Sequence, residues 1–237
     1  MEIIRQQLLP GAEAARDTAV IIDVFRAFTC APLLLHYGAR RLLLEQDPAR
    51  ALELKVRHGF LALGEIGGVM VEGFDLGNSP SEIVRTAAMN ENFFKGRTVV
   101  QRTSAGVRGV FAALETCEQV FAASYTTARA VAETIKRINP AQVHLVAMGE
   151  NAEAPTPEDT ECACYLHHLL DPTQPYEHIN SLERILAHES AQKFLRGDKA
   201  HYPPADVTWC LQRDVFHTAL EAVLTGNGIE LKAAIPA

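Results

Sequence analysis

Acids, hydroxyls and arginines recur at the ends of short apolar runs in this chain. Asp23 and Arg26 close the run Ala19–Val24. Glu65 stands in Leu63-Gly64-Glu65-Ile66-Gly67-Gly68, and Asp75 in Gly73-Phe74-Asp75-Leu76-Gly77-Asn78-Ser79-Pro80. Carboxylates in glycine-shaped loops suit a hard cation, and Mg²⁺ takes only one or two of them while keeping several waters. Arg102-Thr103-Ser104-Ala105-Gly106 reads as a strand-to-helix turn whose amides and hydroxyls could cradle a phosphate. Arg26, Arg102, Thr103, Ser104, Gly106 and Asn78 are therefore candidate substrate-binding residues. Asp23, Glu65 and Asp75 are candidate metal ligands.

Each of these has a plainer reading. Asp23 could pair internally with Arg26, because a buried acid needs a partner. Glu65 could be a solvated turn residue, and Thr103 or Ser104 an ordinary helix N-cap. Ser104 as a nucleophile lacks an obvious base next to it in sequence. Capping chemistry separates some of the acids from the rest. Ser79, Pro80 and Glu82 have the spacing of an N-cap, first helical residue and capping-box partner, which leaves Asp75 without that duty. The loop Gly149–Asp159 repeats the pattern. Thr156 is expected to cap, Pro157 to open the helix and Asp159 to close the box, leaving Glu158 as the candidate general acid. Cys162-Ala163-Cys164 with His167-His168 carries little weight as a zinc site, because structural zinc usually spaces its cysteine ligands more widely.

The elements that must position these residues follow the alternation of an α/β domain with a largely parallel sheet. Strands are expected at Ala19–Val24, Arg41–Leu44, Phe60–Leu63, Thr98–Gln101 and Val143–Ala147, with a weaker one at Val120–Ala122. Helices are expected at Ala27–His36, Pro48–His58, Glu82–Met89, Val107–Leu114, Thr127–Ile138 and Pro157–Leu170. After Pro172 the segments Ile179–Leu195 and Val207–Leu224 read as helices, followed by a short strand at Ile229–Lys232. In an open α/β sheet ligands bind beyond the carboxyl ends of the strands, which is where the acids and arginines fall.

Bulk properties narrow the function classes. The chain has 237 residues, 48% of them hydrophobic, enough for one domain with a sizeable core. A net charge of −7 without a basic run argues against nucleic acid as a partner. No apolar stretch approaches the ~20 residues that span a bilayer. Five scattered cysteines do not suggest a disulfide framework. A cytoplasmic location is expected, and a homodimer is expected from the commonness of two-fold oligomers.

Asp23-Val24-Phe25-Arg26-Ala27, Gly64-Glu65, Gly73 to Pro80, and Glu158-Asp159 with Cys162-Ala163 resemble, in that order, the motifs of the 2-phosphosulfolactate phosphatase family. The segment from Asp206 to Cys210, with Asp214-Val215 after it, is similar to that family's C-terminal motif. The resemblance implies a three-layer α/β/α fold with a mostly parallel or mixed sheet and a helix-rich C-terminal part. It implies one domain over 1–237, with two packed lobes at about 1–171 and 172–237 as a finer division. It also implies Mg²⁺-dependent removal of phosphate from phosphosulfolactate, as in coenzyme M biosynthesis. Asp23, Arg26, Glu65, Asp75, Asn78, Ser79, Glu158 and Asp159 match the family pattern by position. The chain departs from that pattern at Ile66, where arginine is usual, and at Arg102–Gly106, where Thr-Thr-Asn-Gly-Thr is usual. The expected function is hydrolysis of a small anionic phosphate ester. A non-catalytic anion-binding protein and a hydrolase or transferase acting through Ser104 remain the alternatives.

Overall fold

The computed structural model describes residues 1–226 and 228–234. Ten strands form a single mixed sheet: β1 (Glu2–Gln7), β2 (Asp17–Ile22), β3 (Arg41–Leu44), β4 (Leu61–Ile66), β5 (Val69–Met70), β6 (Thr98–Arg102), β7 (Cys117–Ala123), β8 (Gln142–Ala147), β9 (Leu220–Thr225) and β10 (Gly228–Ala233). Their order across the sheet is β1-β8-β2-β7-β9-β10-β3-β6-β4-β5. Two parallel blocks, β1-β8-β2-β7 and β3-β6-β4, are joined by the antiparallel pair β9 and β10. β9 is antiparallel to β7, and β10 is antiparallel to β3.

The helices are α1 (Leu8–Ala14), α2 (Ala27–His36), α3 (Pro48–His58), α4 (Pro80–Met89), α5 (Gly106–Ala113), α6 (Ala128–Ile138), α7 (Pro157–Leu170), α8 (His178–Ala187), α9 (Glu189–Leu195) and α10 (Ala205–Cys210). The two-residue period of a strand sends neighbouring side chains to opposite faces, and β2 shows the result. Ala19 and Ile21 enter one buried cluster with residues of α1, α2, α4 and α5, while Val20 and Ile22 enter another with residues of α6 to α10. A third cluster places α3 against Leu43, Ala62 and Val100. The fold is thus helices on both faces of one sheet. Full burial of each such Val, Ile or Leu contributes about 1.5–3 kcal/mol before entropy is counted.

The N-terminal two-thirds follows the expected elements closely, and the C-terminal third does not. The helix expected over Ile179–Leu195 is two helices, broken at His188, whose Nδ1 accepts from the Ser190 N–H at the start of α9. The helix expected over Val207–Leu224 ends at Cys210, and Leu220–Thr225 is a strand in the middle of the sheet. Leu-Glu-Ala-Val-Leu has good helix formers, but its neighbours supply edges to pair with, and pairing overrides a weak local propensity. Arg41 fastens the inserted pair by donating from Nε and Nη2 to Glu230 Oε2. Strands β1, β5 and β9 and helix α1 lie outside the sequence-based assignments.

Candidate functional site

Strand ends from both parallel blocks meet at the N-terminus of α2. Gln101, the penultimate residue of β6, donates from Nε2 to the Ala27 carbonyl and to Asn78 Oδ1. The Gly106 N–H, after β6, donates to Asp23 Oδ2 at 2.8 Å, after β2. A Cβ at Gly106 would stand 2.8 Å from Asp23 Oδ2 and 3.0 Å from the Phe28 ring, so this approach needs glycine. Around the junction lies an open cleft. Its lining includes Asp23, Arg26, Glu65, Asn78, Thr103, Ser104, Glu158 and Asp159.

Four buried carboxylates define its chemistry. Asp23 accepts the Ala27 N–H on Oδ1 and the Gly106 N–H on Oδ2. Asp159 accepts the Val24 N–H at 2.7 Å and the Gly149 N–H at 2.8 Å. Glu65 accepts the Ser104 N–H and the Gly68 N–H, and the Ser104 hydroxyl donates to it at 3.2 Å. Glu158 accepts the Ser190 hydroxyl at 2.6 Å. Among the described residues none of the four makes an ion pair. Burial, with the charges of Glu65 and Glu158 adding to it, raises the Asp23 pKa to about 6 against the pull of its two backbone donors. Burial also pushes Asp159 well above the usual carboxylate range, reinforced by Asp23 and Glu158. Glu158 is raised by burial too, with the Ser190 hydroxyl acting in the opposite direction.

The remaining candidates fall less simply. Asp75 does not line the cleft. Its Oδ1 accepts from Lys55 Nζ and its Oδ2 from the Ala62 N–H, both at 2.8 Å, so the carboxylate ties the Gly73–Pro80 loop to α3 and β4. The reading of Asp75 as a metal ligand is corrected accordingly. Arg102 also stays outside the lining, donating to the carbonyls of Gln46 and Glu65 and to Ser104 Oγ. Two amides of the Thr103–Gly106 turn are already taken by carboxylates. The Ser104 and Gly106 amides go to Glu65 and Asp23, and the Val107 amide to Thr103 Oγ1. Arg26 lines the cleft but pairs with Asp206 at 2.9 Å, not with Asp23, and donates further to the carbonyls of His201 and Gly68. Asn78 lines the cleft with its Oδ1 engaged by Gln101.

The second capping box is also corrected. Thr156 makes no side-chain cap, and Asp159 reaches the neighbouring strand ends instead. Thr156 Oγ1 is buried in the cleft wall without a hydrogen bond of ordinary geometry, although it lies near enough to Glu158 to favour the ionised carboxylate. Residues from the C-terminal third complete the lining: Ser190, Lys193, Phe194 and Tyr202. No strand-end pattern marks them. The break at His188 is what turns Ser190 and Lys193 towards the cleft.

The donor set suits a divalent cation of the magnesium kind. No three His, Cys, Asp or Glu side chains among the described residues form a compact ligand group. A water-rich site with one or two carboxylates does not require one. Buried acids that lack cationic partners and repel one another supply the excess negative charge that such an ion neutralises. Asp23 and Glu65 are the ligand candidates retained from the sequence, Asp159 joins them, and Glu158 lines the same cleft.

A family model described as 2-phosphosulpholactate phosphatase matches residues 3–223. A probable 2-phosphosulfolactate phosphatase of Bacillus subtilis is 28% identical over 200 residues, 83% of each chain. One from Caldicellulosiruptor saccharolyticus is 29% identical over 83% of this chain and 85% of its own. One from Deinococcus radiodurans is 36% identical over 62% of this chain and 58% of its own.

Proposed function

The chain belongs to the 2-phosphosulpholactate phosphatase family, and from that premise we propose that it is a Mg²⁺-dependent phosphatase of a small, multiply anionic phosphate ester, 2-phosphosulfolactate or a close analogue. The observation that carries this reading is the group of four buried carboxylates that make no ion pair among the described residues, Asp23, Glu65 and Asp159 fixed by backbone amides and Glu158 by the Ser190 hydroxyl. Bound there, Mg²⁺ would offset the negative charge, polarise the phosphoryl oxygen and lower the pKa of a water. The chain's own residues supply orientation. Two amides each fix Asp23 and Asp159, and Glu65 is held by Ser104 and Gly68, so little reorganisation is needed when substrate arrives. Arg26, stacked 5.2 Å from Phe194 and 5.7 Å from Tyr202, gives one wall a fixed positive charge. Among the described residues no helix is long and apolar enough to cross a membrane. A cytoplasmic homodimer remains part of the proposal.

The test is phosphate release from 2-phosphosulfolactate and a panel of simple esters, with and without Mg²⁺. Release that is absent across the panel, or indifferent to chelation, would overturn the reading.

Glu158 is assigned as the general acid. Its raised pKa favours the protonated form needed to deliver a proton to the leaving oxygen. Glu158→Gln keeps the shape and can still accept the Ser190 hydroxyl. It is expected to lower kcat by about a hundredfold on an alkyl phosphate, at the low end of what general acid catalysis contributes. The loss on p-nitrophenyl phosphate, whose leaving group needs no proton, should be much smaller. Equal losses on the two esters would remove the assignment.

A further inference from the structure

The cations around the cleft differ in how free they are. Three guanidinium N–H groups of Arg26 are engaged by Asp206, His201 and Gly68. Arg102 is turned onto backbone carbonyls. Lys193, on α9, donates only to Glu150 Oε1 among the described residues, at 2.7 Å, and so keeps two of its three N–H groups. The side chain of Glu150 is 50% exposed and that of Lys193 is 19% exposed. The carboxylate half of the pair stands at the solvent edge, so it can be exchanged for another anion.

The lysine, by contrast, is well placed. Its ammonium stands over the rings of Tyr202 at 5.2 Å and Phe194 at 5.9 Å, which attract a cation and limit the space it samples. It is also near enough to Glu158 to favour that group's ionised form. A substrate whose reacting end meets Glu158 therefore has a cation within reach for a second charge.

We propose that Lys193 anchors a second anionic group of the ester, a carboxylate or sulfonate, and that Glu150 holds the ammonium until that group displaces it. The proposal rests on the phosphatase reading above and names the feature of the substrate that this site selects. It accounts for a lysine with free N–H groups in a cleft that holds four carboxylates, and for a partner acid left at the solvent edge.

The experiment compares Lys193→Ala, Lys193→Arg, Glu150→Gln and the Lys193→Ala/Glu150→Gln double variant on three esters. These are 2-phosphosulfolactate, 2-phospholactate and glycerol 2-phosphate, which carry a sulfonate with a carboxylate, a carboxylate alone, and neither. Lys193→Ala should raise KM for an ester that carries the recognised group by about tenfold more than for glycerol 2-phosphate, the scale of one charged hydrogen bond. Lys193→Arg should restore most of the difference. Separation between the first two esters identifies which anion is read. Glu150→Gln should lower KM for that ester severalfold and have no such effect in the double variant. Equal losses on all three esters, or a Glu150→Gln gain that survives loss of the lysine, would overturn the proposal. If the wild type hydrolyses none of them, the phosphatase reading fails separately. Calorimetry with sulfolactate and Mg²⁺ then decides, with about tenfold weaker binding by Lys193→Ala expected and equal or undetectable binding counting against it.

Discussion

Asp23→Asn is expected to lower Mg²⁺-dependent phosphate release by about a thousandfold while leaving a folded protein, the upper range for loss of one preorganised charge-stabilising group. Foldedness follows from two opposed changes. Asparagine can accept only one of the Ala27 and Gly106 N–H groups and turns an NH₂ towards the other, which costs about 1–3 kcal/mol. It also removes a charge that burial disfavours. The pH dependence gives the sign. The folded-state pKa of Asp23 is about 6 against an ordinary 3.8, so the folded protein holds this proton more tightly than the unfolded chain does. In the metal-free protein the favourable contribution of Asp23 is therefore full below about pH 4, declines as pH rises, and is gone above about pH 6. Relative to Asp23→Asn, the melting temperature of the metal-free wild type should fall across that window and then level off. Saturating Mg²⁺ should restore about 2.7 kcal/mol at a hundred times its Kd at pH 7.5, and much less at pH 5 where protons compete. A melting-temperature difference that ignores both pH and Mg²⁺ would remove Asp23 from the ion site.

What could be read beforehand was whatever depends on neighbours in sequence. The strand ends bearing Asp23 and Glu65 and the helix start bearing Glu158-Asp159 were legible because apolar runs, glycines and the helix-opening Pro157 mark them locally. Helices α2, α3 and α7 have the expected bounds for the same reason. The departures at Asp75 and Arg102 share one cause. Each was expected at the site because nothing adjacent claimed it, and each is engaged by groups distant in the chain: Lys55 for Asp75, the carbonyls of Gln46 and Glu65 for Arg102. Asp159 erred in the opposite direction. A local capping rule fitted it, yet two amides from other strand ends hold its carboxylate in the cleft. Strand β9 carried a local signal for helix, in the composition of Leu220–Leu224, and β10 one for strand, which placed it at Ile229–Lys232. Lys193 had none, since its position depends on a helix break and on packing against Tyr202.

Asp206→Ala should be the most destabilising single substitution considered. Asp206 is wholly buried on α10 and joins three parts of the chain. Its Oδ2 accepts from Arg26, and its Oδ1 accepts from the Ser79 hydroxyl, the Ser81 hydroxyl and the Ser81 N–H at the start of α4. Alanine leaves a guanidinium buried without its counter-charge and strips several donors of their acceptor. Breaking a buried pair from one side costs about 3–5 kcal/mol, which for a chain of this size lowers the melting temperature by about 10 °C. Arg26→Met should cost less, because Asp206 keeps three donors on its other oxygen and methionine can lie along Phe194 and Tyr202. The two variants also separate stability from function. Arg26 lines the cleft and so does Asn78, just ahead of α4, so Asp206→Ala should lose phosphate release at temperatures where circular dichroism still reports a folded chain. Thermal denaturation of the two single variants and the double variant measures the coupling, and additive costs would show that Asp206 does not act through Arg26.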